Sequence, residues 1–190
     1  FTDDTVMTLA TKMAVFNKGS FTKYYREFGR QYPHAGYGGM FHWWIKHNDE
    51  SPYGSFGNGS AMRCSYIGEH YQLIPDVYVY ARMSADCTHN HEEGIKGAVV
   101  TAVCINLAKN GKSKGDIYEY VSTEYPSSKY KYGIDQTLDS YRETYKWDVT
   151  CQGSVPVAIR CFLESESYES FIRNVLSLPC DTDTLCAIGG

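Results

Sequence analysis

Two short acidic segments lie at opposite ends of this chain, and their side chains could bind a divalent metal ion. Thr2-Asp3-Asp4-Thr5 lies at the start and Asp181-Thr182-Asp183-Thr184 near the end. Both combine paired carboxylates with threonine hydroxyls, hard oxygen donors that suit Mg²⁺ or Mn²⁺ better than zinc or copper. If the fold brings the ends together, the two segments could hold one or two such ions.

Helix capping explains each acidic segment taken alone. Thr and Asp are favoured at helix N-caps, and acidic residues suit the first turn of a helix. Thr2 to Asp4 precede a helical pattern, and Asp181 to Thr184 precede Leu185 and further apolar residues. A cap, however, needs one side chain and not paired carboxylates at both ends of the chain. The two roles are compatible, because one helix N-terminus can present a cap and metal ligands together.

Length and composition favour one domain over 1–190 with a sizeable core, since the chain has 190 residues of which 43% are hydrophobic. The net charge is −4 and Lys and Arg are scattered, so we expect no nucleic-acid partner. No apolar run reaches the ~18 residues of a membrane helix, and we expect neither a membrane partner nor a signal peptide. Seven cysteines without a C-x-x-C pair argue against a zinc ribbon or a disulfide framework, which predicts a reducing, cytoplasmic location.

Hydrophobic periodicity predicts an all-α fold with long functional loops, because neither βα alternation nor period-two strands occur. The pattern over 93–109 is apolar almost all round, so we expect that helix to be central. Residues 48–59 are rich in Gly, Ser, Asn and Pro, and they predict a long loop of the kind that often carries function. Helices are predicted over 6–17, 22–28, 41–47, 60–69, 75–87, 93–109, 116–125, 138–145, 155–163 and 168–176.

The glycine-rich segment from Gly54 to Arg63 could bind an anion. Its three glycines, at 54, 57 and 59, permit close backbone approach and unusual dihedral angles, and a predicted helix follows directly. Backbone amides and a helix N-terminus could therefore face an anion such as a pyrophosphate, with Phe56 stacking on a base. The alternative is a tight loop in which the glycines only make turns.

Two histidines precede the predicted central helix, in the segment Thr88-His89-Asn90-His91-Glu92-Glu93. An H-x-H pair without further ligands is weak support for a zinc site. His89 fits either a polar contact with a ligand or a structural hydrogen bond. In the structural alternative, Thr88 or Asn90 caps the helix.

Taken together, five segments resemble the ADP-ribosylglycohydrolase family, which includes arginine-specific hydrolases and the activator of dinitrogenase reductase. The matching segments occur in the family's order and cover nearly the whole chain. They are Phe1-Thr2-Asp3-Asp4-Thr5, Gly57-Asn58-Gly59-Ser60-Ala61-Met62-Arg63, Thr88-His89-Asn90-His91, Cys151-Gln152-Gly153-Ser154-Val155-Pro156 and Asp181-Thr182-Asp183-Thr184.

The resemblance implies an all-α domain with a centre of two Mg²⁺ (or Mn²⁺) ions between the chain ends. The metal ligands that it implies are Thr2, Asp3, Asp4, Asp181, Asp183 and Thr184. The substrate-binding residues that it implies are Gly54, Ser55, Phe56, Gly57, Asn58 and Gly59 at the diphosphate and distal ribose, His89 beside them, and Gly153, Ser154 and Val155 on the adenine side.

The implied reaction is hydrolysis of the bond between ADP-ribose and a protein side chain, with arginine as the favoured acceptor. The partner is then an ADP-ribosylated protein or ADP-ribose itself. Metal ions would fix the proximal ribose, and the transition state would be oxocarbenium-like, as in glycoside cleavage generally. Asp3 or Asp4 is the candidate base.

The sequence also departs from the family pattern. Pro179 and Cys180 stand where two glycines normally precede the last acidic motif, and Glu92 stands where a proline is common. We expect the chain to lack the family's N-terminal helix, an upstream glutamate near the metals, and the C-terminal helix. Two alternative functions therefore stand beside the hydrolase: a catalytically impaired module that binds ADP-ribose or a nucleotide, and a structural protein on the same scaffold.

Overall fold

The computed structural model describes residues 1–190 and confirms the all-α prediction, because it contains helices and loops but no β-strand. The acidic segments at 2–5 and 181–184 lie at the N-terminal ends of the first and last helices. The helices are α1 (Asp3–Phe16), α2 (Phe21–Gln31), α3 (Gly39–Lys46), α4 (Gly59–Met62), α5 (Ser65–His70), α6 (Ile74–Asp86), α7 (Glu92–Lys109), α8 (Lys114–Glu124), α9 (Leu138–Thr144), α10 (Cys151–Leu163), α11 (Tyr168–Leu176) and α12 (Thr182–Gly189).

Helix α7 lies at the centre, as its apolar sequence predicts. It packs against α4, α5, α6, α8 and α10, and most of its residues from Gly94 to Asn106 are buried. Glycines set the closest helix approaches. A Cβ added at Gly97 would lie 2.3 Å from the Cys151 sulfur, and one at Gly68 would lie 2.3 Å from the Ala102 carbonyl oxygen. The absence of a side chain at these positions lets α10 and α5 lie directly against α7.

The substitution Gly97→Ala is expected to destabilise the fold by about 1–3 kcal/mol, because the added methyl group overlaps the side chain of Cys151. Gly115 is a matched control, since it lies in helix α8 and an added Cβ would come no closer than 3.5 Å to any other group. Gly115→Ala should stabilise by roughly 0.5–1 kcal/mol through helix propensity. Urea unfolding followed by circular dichroism measures both; equal effects would contradict the close approach.

The helix predicted over 60–69 is wrong in one respect, because two helices occupy this segment. Arg63 and Cys64 lie between α4 and α5 and belong to neither helix; Arg63 is still in the right-handed helical region, whereas Cys64, with φ of −94° and ψ of 2°, is outside it. The Cys64 thiol donates to the carbonyl of Ala61 at 3.1 Å and contacts that of Ala98 at 3.2 Å, while the Arg63 side chain is buried. Buried contacts thus override the helical periodicity.

Helix α10 begins at Cys151, four residues before the predicted start at Val155. Thr150 is the N-cap, and its hydroxyl accepts from the Gly153 amide at 3.1 Å. Pro156 lies in the second turn, where it removes one backbone donor without ending the helix. The cap residue also forms a backbone bridge with Gly57, so the start of α10 is tied to the glycine-rich loop.

The seven cysteines are free thiols, and five of them are buried. Burial raises the pKa of both Cys64 and Cys151 to about 12, so these thiols are neutral. None of the helices combines the length and the apolar character needed to cross a lipid bilayer.

Candidate metal and substrate site

A cavity of about 690 Å³ opens between the N-terminal ends of α1 and α12. Its volume falls within the range of small-molecule sites in proteins. Further walls come from the loop that precedes α3 and from the glycine-rich segment that precedes α4. The fold therefore brings the two chain ends together. The predicted site residues that line the cavity are Thr2, Asp3, Asp4, Ser55, Gly57, Asn58, Gly59, His89, Asp181, Asp183 and Thr184.

The carboxylates of α1, with Asp4 buried and Asp3 partly buried, lie next to other negative charges. Burial raises the pKa of Asp3 to about 6, and the charge of Asp4 contributes further. Burial also raises the pKa of Asp4, with Asp183 as the next cause. One Asp4 oxygen, Oδ2, accepts from the Thr2 hydroxyl at 3.0 Å, whereas Oδ1 is buried without a partner. The end of the cavity is thus an uncompensated negative site.

Asn58 connects the glycine-rich loop to the second acidic segment. Its side-chain amide donates to Asp181 Oδ2 and to Ser154 Oγ, both at 3.1 Å. The Ser154 hydroxyl in turn donates to the Asp148 carbonyl at 3.0 Å. Through these bonds, Asn58 fixes the position of Asp181 relative to helix α10.

The donor set fits a divalent cation, although no three His, Cys, Asp or Glu side chains already converge as a metal-binding group. The unpartnered Oδ1 of buried Asp4 needs a partner that the chain does not supply. Burial and, after it, the charge of Asp4 raise the pKa of Asp3, and a bound cation would relieve both the burial of the charge and the repulsion. The hydroxyls of Thr2 and Thr184 add neutral oxygen donors beside them. Oxygen donors of this kind are the ligands of Mg²⁺ and Mn²⁺.

Glycines at 57 and 59 leave room beside His89. A Cβ added at Gly59 would lie 3.3 Å from Nε2 of His89, and one at Gly57 would lie 3.7 Å from the same atom. The Gly57 amide donates to the Ser55 hydroxyl at 3.1 Å, which tightens the turn. The backbone at both positions can therefore approach a ligand closely, as the glycine pattern predicts.

His89 is buried, yet its ring lines the cavity. Its Nδ1 atom lies 2.8 Å from the Thr88 hydroxyl. Burial and the positive charge of Arg63 lower the pKa of His89 well below its ordinary value, so the ring is neutral near pH 7. The structural hydrogen bond and the position on the cavity wall, which the sequence offered as alternatives, are thus present together.

The comparison with known proteins identifies the family. A protein-family model described as ADP-ribosylglycohydrolase matches residues 1–190. The chain belongs to the ADP-ribosylglycohydrolase family. Family membership supports a hydrolase that acts on ADP-ribose glycosidic bonds.

Individual relatives agree with this assignment. The chain is 28% identical to mouse ADP-ribosylhydrolase ARH3 over 249 residues, covering 100% of this chain and 67% of the mouse protein. It is 30% identical to human ADP-ribosylhydrolase ARH3 over 177 residues, covering 72% of this chain and 49% of the human protein. The matched region thus spans about half of the human protein and about two thirds of the mouse protein.

A solved structure confirms the ADP-ribosylglycohydrolase fold. The structure described as an ADP-ribosylglycohydrolase-related protein complex superposes with a TM-score of 0.75 at 20% sequence identity. The match covers 100% of this chain and 68% of that chain. At this identity the likeness supports the fold, so the roles of individual residues are argued from their contacts.

Five residues that the family resemblance implies as substrate contacts do not line the cavity, namely Gly54, Phe56, Gly153, Ser154 and Val155. Phe56 is 43% exposed and packs against His91 at a ring distance of 5.1 Å. Gly153 lies against the Asp148 carboxylate, which an added Cβ would meet at 2.1 Å. Their roles in adenine or ribose binding stay predictions. Ser154 accepts a hydrogen bond from Asn58, which does line the cavity.

The cavity also contains residues to which the sequence assigned no role, including Tyr37, Tyr53, Arg63 and Val149. The Tyr37 hydroxyl is buried without a hydrogen-bond partner. Burial and the charge of Asp3 raise the pKa of Tyr37 to about 12, so the hydroxyl keeps its proton. A tyrosine between glycines in the loop before α3 was the available signal, but the pattern alone does not say which way the ring points.

Proposed function

We propose that this protein is a divalent-metal-dependent hydrolase that cleaves the bond between ADP-ribose and a protein side chain. One observation carries the proposal: carboxylates from both chain ends line the same cavity as the glycine-rich loop and His89. A cavity of about 690 Å³ can accommodate a ligand of nucleotide size. An acidic end and a glycine-rich loop that leaves space beside His89 match the two ends of such a ligand.

The ligand would lie with its diphosphate at the glycine-rich loop and its proximal ribose at the acidic end. The missing side chains at Gly57 and Gly59 leave space in which phosphate oxygens would lie close to the loop, and the neutral ring of His89 offers a polar atom there. The ribose hydroxyls can contact oxygen donors of both acidic segments. This orientation puts the bond to the protein side chain beside the carboxylates.

Thr2, Asp3, Asp4, Asp181, Asp183 and Thr184 would hold the Mg²⁺ or Mn²⁺ ions. A cation bound there would reduce the repulsion among the carboxylates and act as a Lewis acid toward the reacting centre. Of the chain's own groups, a carboxylate of Asp3 or Asp4 would accept a proton from the attacking water. The remaining carboxylates would stabilise the positive charge that develops on the ribose.

Arginine is the acceptor that the charges favour. A guanidinium group is always positively charged, and the end of the cavity carries Asp3, Asp4, Asp181 and Asp183. An arginine-linked substrate would therefore be attracted to the site more strongly than a neutral acceptor such as serine. The choice among acceptors is a separate prediction from the hydrolysis itself.

The test is release of free ADP-ribose from proteins modified on arginine or on serine, with Mg²⁺ and with a chelator. Metal-dependent release supports the proposed hydrolase. Faster release from arginine than from serine supports arginine as the preferred acceptor residue. A folded protein that releases nothing from either substrate would contradict the proposed reaction. Calorimetric titration of ADP-ribose then distinguishes the second candidate, a catalytically impaired binding module, which binds the ligand without turnover.

A further inference from the structure

A buried chain of polar side chains connects Arg63 to the histidine in the cavity. One terminal nitrogen of Arg63 donates to the Ser84 carbonyl at 2.7 Å and to the Thr88 hydroxyl oxygen at 2.8 Å. The same hydroxyl lies 2.8 Å from Nδ1 of His89. Arg63, Thr88 and His89 are exposed by only 1%, 0% and 5%, so bulk water does not compete for these bonds.

Proton donors and acceptors along this chain select one form of the histidine. Arg63 can only donate, so the Thr88 oxygen accepts from it and still has one proton to place. If Nδ1 of His89 carried a proton, there would be two possibilities. Either the Thr88 hydroxyl and the Nδ1–H group would point their protons at each other across 2.8 Å, or the Thr88 proton would turn away and lose His89 as its acceptor. The hydroxyl of Tyr53 is close enough to Thr88 to lower the pKa of Tyr53, but the groups that hydrogen-bond to the Thr88 hydroxyl are Arg63 and His89. The favoured arrangement is Thr88 donating to an unprotonated Nδ1.

The doubly protonated ring is disfavoured by the charge nearby. Arg63 forms no ion pair with a carboxylate; its guanidinium instead lies over the Tyr25 ring at 4.1 Å. An uncompensated buried cation next to His89 opposes a second positive charge. Tyr53, whose ring is 6.0 Å from His89, is neutral near pH 7 because burial raises its pKa. The ring of His89 is therefore neutral and protonated on Nε2.

The proton on Nε2 faces the space that the glycines leave. Nε2 forms no hydrogen bond within the chain. It lies beside Gly57 and Gly59, where the missing side chains leave free space. A donor without a partner, directed at an open cavity, suits an oxygen acceptor of a ligand. Within the proposed function, that acceptor is an oxygen of the ADP-ribose diphosphate or distal ribose.

We propose that Arg63 and Thr88 are positioning residues, which hold His89 as the neutral Nε2–H tautomer with its donor directed at the bound ligand. The tautomer belongs to the ligand-free protein and does not depend on the reaction. Only the identity of the ligand rests on the proposed function. Neither Arg63 nor Thr88 needs to touch the substrate for this role.

The direct test is nitrogen NMR of the ligand-free protein with isotope-labelled histidine, in which His89→Gln assigns the His89 signals. We expect a protonated Nε2 and an unprotonated Nδ1 at neutral pH. Thr88→Val removes the hydroxyl at similar volume and should shift the ring toward the Nδ1–H form, whereas Thr88→Ser should retain the wild-type tautomer. Tyr53→Phe should also leave it unchanged, because Tyr53 does not determine where the Thr88 proton goes.

Calorimetric titration with ADP-ribose measures the consequence for binding. Thr88→Val should weaken binding by about tenfold, the effect of one lost hydrogen bond to a charged ligand, and Thr88→Ser should restore most of the affinity. A wild-type ring protonated on Nδ1, or a Thr88→Val ring identical to wild type, overturns the positioning role. If the tautomers are as expected but no variant, His89→Gln included, changes ADP-ribose binding, the positioning role stands and the proposed ligand contact fails.

Discussion

Asp183→Asn is expected to abolish the rise in melting temperature that Mg²⁺ gives the wild-type protein. A cation that binds only the folded state at about a hundred times its dissociation constant stabilises by about 2.7 kcal/mol, which corresponds to a rise of roughly 5–10 °C in a chain of this size. Asp183 lies in the first turn of α12 beside the cavity, and its charge acts on Asp4 of α1. Asparagine at this position removes one of the two carboxylates that the second acidic segment would contribute to the ligand set.

Asp76→Asn is the control that distinguishes metal binding from helix capping. Asp76 is also in the first turn of a helix, α6, but it is exposed and lies outside the cavity. If the acidic residues served only as favourable charges at helix N-termini, both substitutions would lower stability equally with and without Mg²⁺. A response to Mg²⁺ that survives in Asp183→Asn would contradict the metal site.

Asp183→Asn should also lower the rate of hydrolysis by at least about a hundredfold. Each tenfold loss requires only about 1.4 kcal/mol of transition-state stabilisation, and a metal ion supplies several kcal/mol. Release of ADP-ribose measures this loss independently of stability. If Asp183→Asn loses the melting response but keeps its activity, the metal site is supported and a role of the metal in the reaction is contradicted. The two readouts therefore test the site and the chemistry separately.

The sequence predicted the helices well where apolar residues repeat without interruption and less well where single contacts decide a boundary. Helix α7 was predicted over 93–109 and occupies Glu92–Lys109, because its residues are apolar on nearly every face. The break after Met62 depends on Cys64 reaching the carbonyl of Ala98 in a different helix. The early start of α10 depends on the Thr150 cap. Long-range contacts of this kind leave no periodic signal in the chain.

For the candidate site, residue type predicted the acidic end better than the ligand end. Four carboxylates with adjacent hydroxyls have few other uses, and the fold brings them together. Phe56 lies outside the cavity lining, where its ring is 43% exposed and packs against His91, so its stacking on a base stays a prediction. The roles of Arg63 and Thr88 depend on the Thr88 hydroxyl lying between the Arg63 guanidinium and the His89 imidazole. Arg63 and Thr88 are 25 positions apart along the chain, so no local pattern indicates this contact.

Asp3→Asn is expected to raise the stability of the metal-free protein at mildly alkaline pH, although it removes a metal ligand. The pKa of Asp3 is raised from 3.8 to about 6 by burial and by the charge of Asp4, so the fold favours the neutral carboxyl. A raised pKa contributes stability that is fully present below about 3.8 and is lost as the pH rises through about 6. Asparagine keeps the neutral form at every pH, so its advantage appears above that range.

Asp116→Asn should have the opposite sign. Asp116 is in the first turn of α8, where its carboxylate accepts from the Ser113 amide and hydroxyl at 2.7 Å, and these bonds lower its pKa. A lowered pKa contributes stability above the ordinary value of 3.8 that is lost as the pH falls through the folded pKa. Asp116→Asn is therefore expected to lower the melting temperature at mildly alkaline pH.

Mg²⁺ should reverse the order of wild type and Asp3→Asn. With a chelator, the variant melts higher at mildly alkaline pH, by roughly 2–4 °C for each kcal/mol of repulsion that it relieves, and the difference shrinks as the pH falls through about 6. With saturating Mg²⁺, the wild type melts higher, because only it retains Asp3 as a ligand. A variant that is less stable than wild type under both conditions would show that Asp3 serves as a favourable charge at the N-terminus of α1. A reversal of the two melting temperatures on adding Mg²⁺ would thus show that the Asp3 carboxylate stabilises the metal-bound protein and destabilises the metal-free protein.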